Sequence, residues 1–277
     1  MTDATRRHSG YADVNGGRLY YEVAGEGHPL ALLHAGIADS RMWDDQFEEF
    51  AKQYRVVRYD YRGFGKSSVP VDGFSMRADL YELLRQLGIE RAYLIGVSMG
   101  GGLAVDAAIE RPDLVAALIP TCPGLSGQSE DATPEEIAFF EQVETADKDG
   151  DLGRVNELEV HLWVDGLSRS PEQVNPALRD KVREMNGLAL QRQHEWEGVT
   201  TRKLEPPAAG RVGEITAPTL AIIGDRDLSG VKQAVDLIAA GVPGARKATV
   251  ANAAHVPNME HPEEYNRIVL DFLGSLG

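Results

Sequence analysis

The sequence predicts an α/β fold: a mostly parallel sheet flanked by helices and interrupted once by a helical insertion. Three observations predict it. Short apolar runs alternate with stretches of helical spacing through the first 123 residues and again after Pro218; such alternation builds a parallel sheet with right-handed crossovers. Residues 125–205 between them offer helical stretches near 134–147, 151–164 and 174–195 and no convincing buried strand. Finally, Ser98 sits where one apolar run turns sharply into a helix.

Taken in order, residues 11–14 and 18–23 flank Asn15-Gly16-Gly17, a hairpin signal, and should form an antiparallel edge. Residues 29–33 read as an apolar strand ending in His34-Ala35-Gly36. A helix follows over 43–52, with Trp43, Phe47 and Phe50 at i, i+4 and i+7 on its core face. Strand 55–59 then delivers Asp60-Tyr61-Arg62-Gly63-Phe64-Gly65. Leu80, Leu83, Leu84 and Leu87 mark a helix over 75–87 that stops at Gly88. Strand 92–96, the Ser98 turn, helix 99–110 and strand 114–119 complete the first half. The second half reads as strand 219–223, helix 230–240, strand 246–250 and helix 262–273. The domain division is therefore a sheet domain of residues 1–123 and 206–277, with a helical cap over 124–205. A cap inserted at the carboxyl ends of parallel strands lies over the place where such sheets bind ligands.

Charge narrows the partners. Lys and Arg number 28 against 43 Asp and Glu, a net charge of −15, which disfavours nucleic acid and anionic membranes. The one cysteine, Cys122, lies in an apolar run and reads as a buried structural thiol, leaving no Cys-based metal cluster. The first ten residues carry two arginines but no apolar stretch after them, and no run approaches a membrane span. A cytoplasmic protein without membrane, metal or cofactor is the expectation.

The chemistry starts at Ser98. Gly96 and Gly100 stand two positions either side of it, where a strained serine turn needs small residues. Such a turn lifts the hydroxyl out of the sheet and places the N–H of Met99 at a helix N-terminus, where it can meet a developing oxyanion. Serine alone is a poor nucleophile and needs a base with an orienting carboxylate. His255 fits as base, on the loop between strand 246–250 and the last helix. His8 and His28 lie in edge-like segments, His161 and His194 in the insertion, and His261 beside a helix start. For the carboxylate, Asp225 and Asp227 both follow strand 219–223, and spacing does not separate them.

GVSMGG around Ser98, LLHAGIADSRMW, DYRGFGKSS and AAHVPNMEHPEEYN resemble the α/β-hydrolase fold superfamily, in the branch of small bacterial esterases, enol-lactonases and cofactor-free haloperoxidases. The order Ser98, Asp227, His255 is that family's order. The resemblance implies several assignments. The second acid of the G-D-x-D loop, Asp227, orients His255. The N–H of Gly36, or of Ala35 if the loop shifts by one, joins that of Met99 in an oxyanion hole. His34 organises its loop, and Asp60 and Arg62 hold the site together. Haloperoxidase-like members carry proline after the oxyanion residue, where this chain has Ile37. Serine at 98 sets aside the members with an aspartate nucleophile.

The implied activity is hydrolysis of a small-molecule carboxylic ester or lactone through an acyl-serine, without cofactor. Carbon–carbon hydrolysis of a meta-cleavage diketone, a haloperoxidase or perhydrolase side activity, and a ligand-binding module on this scaffold are the alternatives. Candidate substrate contacts are Ile37, Phe139, His161, Trp163, Trp196 and Val256, with Phe140 and His194 as further pocket candidates. Packing of Trp163 with Leu158 and Leu162 onto the sheet competes with substrate contact for that residue.

Overall fold

A computed structural model describes residues 7–129 and 132–277. The stretch 1–6, part of the N-terminal ten residues with the two arginines, lies outside the described residues. Eight strands form one sheet in the order β1-β2-β4-β3-β5-β6-β7-β8. β1 (His8–Val14) and β2 (Gly17–Ala24) are the expected antiparallel hairpin. Asn15 and Gly16 both have positive φ at its turn, 46° and 81°, the backbone that matches strand twist. β2 pairs antiparallel with β4 (Tyr54–Tyr59), and every later pairing is parallel: β3 (His28–Leu33), β5 (Ala92–Val97), β6 (Val115–Thr121), β7 (Leu220–Gly224) and β8 (Arg246–Val250).

β3 lies between β4 and β5, so the winding direction reverses there. The carboxyl ends of β3 and β5 thus face a switch-point crevice, where sheets of this kind bind ligands. Both faces of the sheet are covered, and the strands accordingly read as apolar runs. Ala31, Leu33, Ala92 and Leu94 pack with α2 (Met76–Gln86), α3 (Met99–Glu110) and α7 (Ser229–Gly241). Leu30, Leu32, Ile95 and Val97 point the other way, toward α1 (Asp44–Phe50) and α9 (Pro262–Gly274). The last of these sends Tyr265, Val269 and Phe272 into that layer.

Between β6 and β7 lie α4 (Pro134–Lys148), α5 (Leu152–Val160) and α6 (Pro176–Gln193). A Thr133–Glu136 capping box starts α4. α5 runs into a π-helical turn, His161–Asp165, where periodicity alone predicts a continuous α-helix; such turns recur at functional sites. A short helix, α8 (Pro257–Glu260), follows the His255 loop and is absent from the sequence reading, because four residues carry no period. Among the described residues no helix is long and apolar enough to cross a membrane.

Candidate active site

Ser98 occupies the turn between β5 and α3 with φ 55° and ψ −116°, a backbone that costs a serine about 1–3 kcal/mol and persists only when its surroundings impose it. The surroundings are two glycines. A Cβ on Gly96 would sit 2.1 Å from the Gly100 carbonyl oxygen, and one on Gly100 would sit 2.2 Å from that of Leu33. The N–H of Ser98 donates to Thr121 O at 2.9 Å, clamping the turn to β6. Met99 is the first residue of α3, so its N–H has no intrahelical acceptor.

Gly36 comes to the same place from β3. Its Cα direction opens toward Met99, whose side chain lies 3.9 Å from where a Gly36 Cβ would be. Ala35 is taken: its N–H donates to Met42 Sδ at 3.2 Å and the residue is fully buried. Of the two, Gly36 lines the crevice, and the Ala35 N–H is not free to do so. His34 beside it is buried and stacked on Tyr61 at 3.9 Å. Its Nδ1–H donates to Ala35 O and its Nε2 accepts from Tyr61 N–H, so the ring is neutral. Burial holds its pKa below the ordinary value, against the pull of Asp60. Asp60 accepts from the N–H groups of Ser40 and Lys66, each at 2.8 Å, tying the β3 and β4 loops together. Arg62 is turned to Asp79 and to the carbonyls of Val14 and Asn15.

Across the crevice, His255 Nδ1 meets both oxygens of Asp227, at 3.0 and 2.9 Å. Asp227 Oδ1 also accepts the Leu228 N–H at 2.8 Å. His255 and Asp227 are 3% and 5% exposed, whereas Asp225 points to solvent; the two aspartates that spacing leaves equal are separated by burial. The π-helical turn leans on the histidine: Trp163 O accepts the His255 N–H at 3.1 Å and the indole lies 4.4 Å from the imidazole. Glu260 on α8 holds the same loop, accepting the Ala254 N–H while paired with Arg169 at 2.7 Å.

Cys122 Sγ, an Asp227 oxygen and a His255 nitrogen lie within 4.8 Å of one another. A metal there would have to displace the Asp–His bond and ionise a thiol that burial pushes well up. The residues do not fit that role, and the thiol reads as packing beneath the carboxylate.

Ser98, Met99, Gly36, Ile37, Trp163, Trp196 and His255 line one cavity of about 380 Å³, within the range of small-molecule sites. Three of the sequence-derived substrate candidates lie elsewhere. Val256 is fully buried in the apolar layer on the α1 and α9 face. Phe139 packs on the small cluster of Ala146, Val155 and Leu158. His161 turns to Asp165 at 3.0 Å and to the Phe139 ring, because the π-helical turn sends it and Trp163 to different sides. Phe140 lines a separate cavity behind Trp163, and His194 is exposed beside Glu197. Sequence reasoning missed Glu159, Asn186, Ala189, Leu190 and Gln193, which also line the cavity. A signal existed: positions 186, 189, 190 and 193 are one helical face, and Glu159 precedes Trp163 by four.

A serine at a strained strand-to-helix turn, facing a buried acid–imidazole pair over the switch point of a parallel sheet, is the layout of a hydrolase on an α/β scaffold. Residues 28–262 match the family model for the alpha/beta hydrolase fold, and the chain belongs to that family. The 2-hydroxy-6-oxononadienedioate/2-hydroxy-6-oxononatrienedioate hydrolase of Paraburkholderia phymatum is 31% identical over 93% of this chain and 91% of its own length. Carboxylesterase YbfK of Bacillus subtilis is 26% identical over 95% and 86%. The crystal structure of a bromoperoxidase from Bacillus anthracis aligns with a TM-score of 0.77 at 26% identity, covering 96% of this chain and 100% of that one.

Proposed function

We propose that the protein cleaves a carboxylic ester or lactone of a small molecule, with Ser98 as nucleophile, His255 as general base and acid, and Asp227 as its orienting carboxylate. The observation that carries this reading is the buried Asp227–His255 pair, whose imidazole lines the same cavity as Ser98. Asp227 on Nδ1 leaves Nε2 as the nitrogen that takes the Ser98 proton as Oγ attacks the carbonyl. The N–H groups of Met99 and Gly36 hold the oxyanion, where preorganised donors contribute most to rate. His255 returns the proton to the leaving oxygen, and water attacking the acyl-Ser98 carbonyl completes the cycle. Residues 1–123 and 206–277 act as the catalytic core and 124–205 as the cap, with Ile37, Trp163 and Trp196 contacting substrate. None of these steps calls for a metal or organic cofactor.

A second reading, hydrolysis of a carbon–carbon bond in a meta-cleavage product, is favoured by the 31% identity to the dienedioate hydrolase. Ester cleavage ranks first because Arg62, the one Arg or Lys on the cavity wall among the described residues, is already committed to Asp79 and is poorly placed to bind a substrate carboxylate. Intact-protein mass after exposure to a fluorophosphonate tests the nucleophile: one adduct on the native chain and none on Ser98→Ala is expected. No adduct on the folded native chain would overturn the proposal and favour a ligand-binding role. Turnover of aryl esters against a vinylogous diketone then separates the two readings.

A further inference from the structure

Among the described residues the cavity wall carries one carboxylate, Glu159 on α5. Its Oε2 accepts from Asn186 Nδ2 at 2.7 Å. The same Nδ2 donates to Asn156 Oδ1 at 3.0 Å, and Asn156 Nδ2 donates to Arg183 O, so the asparagine amides are fixed with a donor toward Glu159. Its other oxygen has no donor and no Lys or Arg pairs with it among the described residues. Other acids withdrawn from water differ in this: both oxygens of Asp60 and of Glu136 accept backbone N–H donors, and four more face an arginine. Glu22 faces Arg58, Asp79 faces Arg62, Asp165 faces Arg179 and Glu260 faces Arg169. Burial pushes the Glu159 carboxyl above its ordinary range, opposed by the Asn186 bond and helped by Asp147. A desolvated carboxylate without a cation is costly, and here the open side of the group is the substrate cavity.

We infer that Glu159, positioned by Asn186, is a recognition subsite for an ammonium group on the substrate, so that the preferred ester carries a primary or secondary amine in its acyl or alcohol part. The fit extends to the whole surface, because a net charge of −15 draws cations and repels anions at long range. The inference rests on the ester reading for the reaction, but the subsite itself is defined by the cavity. An anionic substrate would meet Glu159 unscreened, while an ammonium supplies the charge and the donor that the free oxygen lacks.

Three p-nitrophenyl esters of matched length test it: 6-aminohexanoate, heptanoate and adipate. The native chain should rank them in kcat/KM as cationic, neutral, anionic. In Glu159→Gln the cationic-to-neutral ratio should fall by about tenfold, the scale of one charge-assisted hydrogen bond, and the loss should appear in KM. A purely structural role for Glu159 would lower both esters together and leave the ratio unchanged, which would overturn the subsite. Should the native chain cleave none of the three, the ester reading fails by itself. Hexylammonium binding to Ser98→Ala, followed by tryptophan fluorescence, then decides the subsite. Loss of that binding in Ser98→Ala/Glu159→Gln supports it, and equal binding overturns it.

Discussion

The sheet and the segment between β6 and β7 are held by different forces. The sheet is sandwiched between two apolar layers in which Leu30, Leu32, Leu80, Leu94 and Ile95 are fully buried. The inserted segment is more mixed. Its α6 sends Leu178, Val182 and Met185 into one of those layers, while α4 buries only Glu136 and Ala146. Much of its remaining attachment is polar. Arg192 donates to the carbonyls of Phe64, Gly65 and Ser67, and Arg169 to the carbonyl of Asn252 and the carboxylate of Glu260. The difference teaches a division of labour. Close packing and backbone strain in the sheet hold Ser98 to a fixed position, whereas α6, latched by Arg192, can vary its share of the cavity wall without touching that turn; His255 is tied to both regions, through Asp227 and through Trp163.

The largest effect should come from breaking the sheet's own constellation. Asp227→Asn should lower kcat by about 10⁴-fold by supplying the wrong tautomer of His255, whereas Asp225→Asn should stay within about twofold; steady-state rates on an aryl ester compare the two. Equal losses would mean that the burial difference between the aspartates has no catalytic meaning. Next, Gly100→Ala drives a Cβ to 2.2 Å from a backbone oxygen that cannot retreat. A stability loss of more than about 3 kcal/mol is expected in urea unfolding, and a midpoint near that of the native chain would contradict the clamp.

The latch should respond in another way. Arg192→Ala removes three donations to carbonyls, yet these connect two regions rather than fill a core. Global stability should fall by about 1–2 kcal/mol, while KM rises several-fold and amide exchange speeds up over residues 186–196. A large loss of kcat with unchanged exchange would erase the distinction between the two regions.

The smallest effect is a pH dependence from within the sheet. His34 is held neutral, with a folded pKa below the ordinary 6.5. The unfolded chain therefore binds the extra proton between 6.5 and that lower value. Stability contributed by the neutral ring is complete above pH 6.5 and lost as pH falls toward the folded pKa, at up to about 1.4 kcal/mol per pH unit. Urea midpoints at pH 7.5 and 5.5 should fall less for His34→Gln than for the native chain; parallel falls would assign the acid sensitivity to other groups.

Much of this protein was legible in the sequence because strand and helix periods are local. The alternating segments, the Asn15-Gly16 hairpin and the glycine-flanked Ser98 turn follow from residues near one another in the chain, and motif order pointed to the family that the comparisons then established. Other decisions needed distant residues to meet. Asp225 and Asp227 are equivalent two positions apart, and only the approach of His255, 28 positions beyond Asp227, gives one of them a partner. His161 and Trp163 look alike as aromatic pocket candidates until the π-helical turn separates them. Glu159 reads as one more surface acid of a helix, and becomes an unpaired carboxylate on a cavity wall only when α5 and α6 close over the sheet. Sequence by itself determines which groups the chain can offer; tertiary packing decides which of them lose water and which find a counter-charge, and those two quantities set what a side chain can do.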